Sequence, residues 1–119
     1  MSARITMLMR KSPYGSVYPA EGFRAMMGIA VFELALCVIF LDDGVYVLAK
    51  GQDPSALDMK PLGEGFPTLL DVGIKEFYVH DQSLAERGLK PEDLVVEAKV
   101  MSGTEIEKIL AGCATVLPF

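Results

Sequence analysis

His80 is the only histidine among 119 residues, and it stands in the segment Val79-His80-Asp81-Gln82-Ser83. An imidazole titrates near neutrality, which makes this residue a candidate acid/base group or hydrogen-bond donor. From the residues alone the plainer reading, a loop histidine satisfied by Asp81 or by solvent, comes first. Asp42 and Asp43 form an adjacent carboxylate pair ahead of Gly44. Two carboxylates suit a metal or a shared proton transfer, but a turn that ends a strand also favours Asp for backbone hydrogen bonding. The two cysteines, Cys37 and Cys113, come with no CxxC or Cys/His ligand spacing. Neither a metal nor another cofactor is expected from these patterns.

Cys37 lies inside an apolar run, where a cysteine behaves as a small buried hydrophobe and is inert. Cys113 follows an expected helix end, whose negative dipole disfavours a thiolate. The stretch Ser12 to Ser16, which holds Tyr14, has one glycine and neither a GxGxxG pattern nor a Walker lysine. It gives poor grounds for a phosphate cradle.

These residues need elements to hold them. Arg4 to Met9 (RITMLM) reads as a buried first strand, broken by turn chemistry at Ser12-Pro13-Tyr14-Gly15-Ser16. From Ala20 the pattern becomes helical, with Phe23, Met26, Met27, Ala30, Val31 and Leu34 at three- and four-residue steps. Leu36 to Leu41 (LCVIFL) is an uninterrupted, β-branched run that suits a strand covered on both faces. Val45 to Lys50 predicts a short helical turn, Gln52 to Lys60 an exposed connection, and Pro61 to Val72 a weak helix capped by Gly73. A third strand is expected over Lys75 to Val79, followed by a short helix over Leu84 to Arg87 that Gly88 stops. Leu94 to Val100 reads as a fourth strand. Ser102 and Glu105 have capping-box spacing before a helix over Glu105 to Ala111, and Ala114 to Pro118 closes with a fifth strand.

Strands alternating with helices imply one three-layer α/β/α domain over residues 1–119, with a mostly parallel sheet of about five strands. In such sheets ligands gather at the carboxyl ends of strands. Those ends carry Arg10, Lys11, Ser12 and Tyr14 after the first strand, Asp42 and Asp43 after the second, and His80 to Ser83 after the third. The candidate site surface is therefore Tyr14, Asp42, Asp43, His80 and Ser83.

Composition limits the partners. Eleven Lys and Arg against sixteen Asp and Glu give a formal charge of −5, so the basic footprint of a phosphate-backbone binder is missing. Direct nucleic-acid binding is not expected. Ala25 to Leu41 contains Gly28 and Glu33 and is short for a bilayer span, so it reads as helix running into strand rather than a membrane segment. The N-terminal residues have no signal-peptide pattern, and two cysteines without a framework fit a reducing cytoplasm. Apolar residues make up 51% of a small chain, so part of that surface is expected to be buried against other subunits.

Several segments in order resemble the DsrE/DsrF family, most closely its DsrF/TusC-like branch. They are Pro13-Tyr14-Gly15, Glu21-Gly22, Phe40-Leu41-Asp42-Asp43-Gly44-Val45, Gly51-Gln52, Ser83-Leu84-Ala85-Glu86-Arg87-Gly88-Leu89 and Val116-Leu117-Pro118-Phe119. The resemblance spans nearly the whole chain. It implies a small α/β subunit within a sulfur relay, joined to DsrE/TusD-like and DsrH/TusB-like subunits as a heterohexamer, or else a homo-oligomer, and dealing with sulfur-carrier proteins. Such relays pass persulfide sulfur either in oxidation of stored sulfur or in 2-thiolation of tRNA.

In the sulfur-carrying members the key cysteine stands eight residues before the glycine of the Arg-Gly pair; counted back from Gly88, that place holds His80. Histidine cannot form a persulfide, so the resemblance implies a noncatalytic, structural or accessory subunit. His80 then either assists a neighbouring subunit's cysteine or fills a vestigial site. Two further readings stay open: a sulfurtransferase using Cys37 or Cys113, and a homo-oligomer that binds a small ligand through Asp42, Asp43 and His80.

Overall fold

Short apolar runs separated by polar turns become strands here, and the amphipathic stretches between them become helices that cover the sheet. A computed structural model of the protein describes residues 5–11, 18–31, 36–49, 76–94, 96–113 and 115–119. Strand β1 (Ile5–Met9) is followed by helix α1 (Tyr18–Val31), strand β2 (Leu36–Phe40) and a 3-10 stretch (Asp42–Leu48). Strand β3 (Glu76–His80) runs straight into helix α2 (Asp81–Glu86), then a 3-10 turn (Pro91–Asp93) and strand β4 (Lys99–Met101). Helix α3 (Gly103–Gly112) and strand β5 (Thr115–Pro118) complete the order.

The five strands lie in the order β4-β3-β2-β1-β5, and every strand pairing is parallel. Side-chain alternation along them sorts the core into two layers. Leu36, Val38 and Phe40 of β2 join Met7, Met9, Phe77 and Val79, with Met26 of α1, Val45, Val47 and Leu48 of the 3-10 stretch and Leu84 of α2. Cys37 and Ile39 face the opposite way and pack with Met101 and with Ile106 of α3. All five residues of β2 are buried, which is why its sequence is an unbroken apolar run rather than an alternating one. Burial of each large side chain contributes roughly 1.5–3 kcal/mol, so β2 and its neighbours dominate the stability of the sheet. The α/β architecture is the expected one.

Four local expectations meet the structure differently. The helix after β3 begins at Asp81 rather than Leu84, because His80 already serves as its N-cap residue. Likewise the helical turn after β2 starts at Asp42, not Val45. Helix α3 is also longer than expected, starting at Gly103 directly behind the Ser102 cap. Strand β4 is the shortest, pairing only over Lys99–Met101, while Leu94 makes an isolated antiparallel bridge to Ala49. Leu94 and Val96 are buried in the first core layer. Their alternation reports burial and not strand pairing, and burial alone does not make a ladder. The turn at Ser12 to Ser16, the connection at Gln52 to Lys60 and the helix at Pro61 to Val72 lie outside the described residues.

Gly88 ends α2 as expected, at φ +66°, a conformation that a Cβ disfavours. The Gly88 amide donates to the Ala85 carbonyl at 3.2 Å and the Leu89 amide to the Leu84 carbonyl at 3.0 Å. This pair of bonds is a Schellman cap, which satisfies the last carbonyls of the helix.

Candidate functional site

Between β3 and β4 the chain changes direction. The two strands are neighbours, with His80 level with Met101. From β3 the chain enters α2, whose Leu84 packs in the first core layer, whereas from β4 it enters α3, whose Ile106 packs in the second. The carboxyl ends of β3 and β4 therefore diverge to opposite faces and open a crevice, the place where open parallel sheets take their ligands. His80 stands in this crevice. A side-chain carbon placed on Gly103, the first residue of α3, would lie 3.6 Å from His80 Nε2.

The ring is fixed from beneath. His80 Nδ1 lies 2.7 Å from Ser83 Oγ, and the same oxygen accepts the Asp42 backbone N–H at 2.9 Å. Ser83 is only 3% exposed, so bulk water has little access to it. Asp42 itself sits at φ 51°, in the left-handed region that Asp tolerates better than most residues. Its amide is committed to the Ser83 hydroxyl oxygen. Replacing Ser83 with Ala leaves this amide without its acceptor, and a loss of about 1–3 kcal/mol is expected. A lowered urea midpoint with an unchanged slope is the readout.

A second connection lies outside the first. Arg87 Nε donates to Asp43 Oδ1 at 3.1 Å, and its Nη1 donates to the Ser83 carbonyl at 3.1 Å. One guanidinium thus ties the end of β2 to α2, the helix that carries Ser83. Asp43 is more than half exposed, so the ion pair itself contributes at most about 1 kcal/mol.

Asp81, Ser83 and His80 superficially resemble an acid–base–nucleophile set, but their geometry opposes that use. Asp81 Oδ1 is 3.7 Å from His80 Nε2, beyond hydrogen-bond range, and accepts the Gln82 amide at 2.6 Å instead. Ser83 Oγ is buried and already occupied, so it is a connector and not a nucleophile. Asp42 and Asp43 do not act as a pair either: one contributes its amide, the other its carboxylate to Arg87. Among the described residues no group of three or more His, Cys, Asp or Glu is arranged to hold a metal.

The structure thus brings His80, Ser83, Asp42 and Asp43 together, while Tyr14 lies outside the described residues. Arg87 was not among the expected site residues, although its spacing of four from Ser83 on a helix is the signal that would have pointed to it. Of the cysteines, Cys37 is fully buried and Cys113 half-buried, its thiol donating to the Leu110 carbonyl at 3.1 Å. No described helix is long and apolar enough to cross a membrane.

The α/β fold built on this parallel sheet places the chain in a class with the ychN protein from E. coli. The two structures agree over 100% of both chains with a TM-score of 0.84 at 19% sequence identity, a likeness of fold. The chain belongs to the DsrE/DsrF-like family, whose model matches residues 3–119. It is 43% identical over 88 residues to the intracellular sulfur oxidation protein DsrF of Allochromatium vinosum, a match covering 74% of this chain and 65% of that protein. It is 32% identical over 117 residues to a TusC homolog of Vibrio parahaemolyticus, covering 98% of this chain and 99% of that protein.

Proposed function

We propose that this chain is a noncatalytic subunit of a cytoplasmic sulfur-relay complex, in which the persulfide is carried by a related, cysteine-bearing subunit. His80 carries the reading. It occupies the place where sulfur-carrying members of the family have cysteine, and its ring is tied to a buried hydroxyl instead of offering a nucleophile. The two thiols of the chain are poorly suited to replace it, since Cys37 is buried within β2 and the Cys113 S–H is engaged as a hydrogen-bond donor to the Leu110 carbonyl. The kinship with DsrF and TusC proteins favours partners of the DsrE-like and DsrH-like kinds, with sulfur-carrier proteins as donors or acceptors. Its work in the complex is to bury surface against those subunits and to shape their docking face. Val100 on β4 and Val116 on β5 are exposed apolar side chains on the two outer strands, where a sheet has unpaired backbone to cover.

Incubation of the folded chain with glutathione persulfide tests the noncatalytic role. The intact mass is expected to stay unchanged at both cysteines. A stable gain of one sulfur atom on Cys113 or Cys37 would instead favour a sulfurtransferase.

A further inference from the structure

The bond between Ser83 and His80 has a direction. A backbone amide can only donate, so the Asp42 N–H uses one lone pair of Ser83 Oγ and leaves the hydroxyl hydrogen to be placed. Ser83 is buried, and the acceptor within reach of its oxygen among the described residues is His80 Nδ1 at 2.7 Å. Were the ring to donate from Nδ1, the buried hydroxyl hydrogen would lose that acceptor, a cost of about 1–3 kcal/mol. The order Asp42 N–H to Ser83 Oγ, then Ser83 O–H to His80 Nδ1, satisfies the amide, the hydroxyl and Nδ1 together. The imidazole hydrogen then sits on Nε2, the nitrogen beside Gly103 in the crevice.

Nε2 has no hydrogen-bond partner among the described residues, since the nearest carboxylate oxygen, on Asp81, is 3.7 Å away. The side chain of His80 is 21% exposed, so it is partly open to solvent. A single N–H beside Gly103 is thus held in a fixed direction by the Ser83 bond at the other nitrogen.

We infer that Ser83 is a positioning residue: it holds His80 as the Nε2–H tautomer and makes that N–H the donor offered to a sulfur anion, the thiolate or persulfide of an adjoining subunit. The identity of the acceptor rests on the proposed relay function, whereas the tautomer rests on the geometry alone.

Because the chain has one histidine, nitrogen NMR of histidine-labelled protein reads this site without overlap. At mildly alkaline pH the expected spectrum has a pyrrole-type Nε2 and a pyridine-type Nδ1. Ser83→Ala is expected to move both shifts toward the averaged values of a mixed tautomer population, and Ser83→Thr, which keeps the hydroxyl, to restore them. A wild-type spectrum with the hydrogen on Nδ1, or averaged shifts, would overturn the inference without recourse to any variant. In the chain copurified with its cysteine-bearing partner, loading that partner with glutathione persulfide is expected to shift the Nε2 resonance selectively. If the tautomer is as expected but Nε2 does not respond, the acceptor assignment fails while the positioning role of Ser83 stands.

Discussion

Gly44→Ala is expected to cost roughly 3 kcal/mol or more, at the upper end of what overpacking does to a folded domain. A Cβ on Gly44 would lie 1.8 Å from the carbonyl oxygen of Met9 and 2.4 Å from its carbon. These are backbone atoms at the end of β1, and the Met9 carbonyl also accepts the Leu41 amide at 3.1 Å. Neither atom can swing aside as the end of a flexible side chain would. Relief requires the 3-10 stretch to lift from the sheet, which withdraws Val45, Val47 and Leu48 from the core and pulls on Asp42 beside the crevice. Clearly lowered thermal and urea midpoints are the expected result, with the folded form still predominant at room temperature. A variant with wild-type stability would mean that the turn after β2 does not rest on β1 as described.

The second large effect concerns Cys37. With 0% exposure in the central strand, its thiol meets an alkylating reagent only when the sheet opens. For a domain stable by about 5 kcal/mol the open fraction is below roughly one in a thousand. Iodoacetamide is therefore expected to modify native Cys37 at least about a thousandfold more slowly than the same residue in denatured chain, while half-buried Cys113 reacts with far less protection. The two large effects are coupled: if opening is the gate, Gly44→Ala should raise Cys37 labelling by about a hundredfold, the population equivalent of its expected cost. Rapid labelling of native Cys37 would contradict its burial and reopen it as a sulfur acceptor.

Much of the fold was legible because local chemistry encodes it. The run LCVIF is buried at every residue, as a doubly covered strand must be. Ser102 and Glu105 form the capping box that their spacing announces, with Ser102 Oγ accepting the Glu105 amide at 3.2 Å and Glu105 Oε1 accepting the Ser102 amide at 3.2 Å. His80 could be placed at a strand end from the apolar run before it and Gly88 after it. The contacts that give the corner its character were not legible. Ser83 meets the Asp42 amide across 41 positions of sequence, and Arg87 meets Asp43 across 44. No periodicity carries such pairings, because they depend on β2 and β3 being neighbours. Strand order also hid the crevice, which exists only because β4 lies beside β3 and leads to the other face. The length of β4 was overread for a related reason: Leu94 and Val96 alternate inward without a strand to pair with.

The His80 corner is thus an ordered one: one ring, one buried hydroxyl and one backbone amide in a fixed sequence of bonds. Order of this kind is compatible with a subunit that presents a group to its neighbours and leaves the sulfur chemistry to them. The mass of the native assembly, measured after co-expression of the chain with DsrE-like and DsrH-like proteins, tests this most directly. A single hetero-oligomer containing all three is the predicted result, and a stable monomer that ignores both proteins would contradict it.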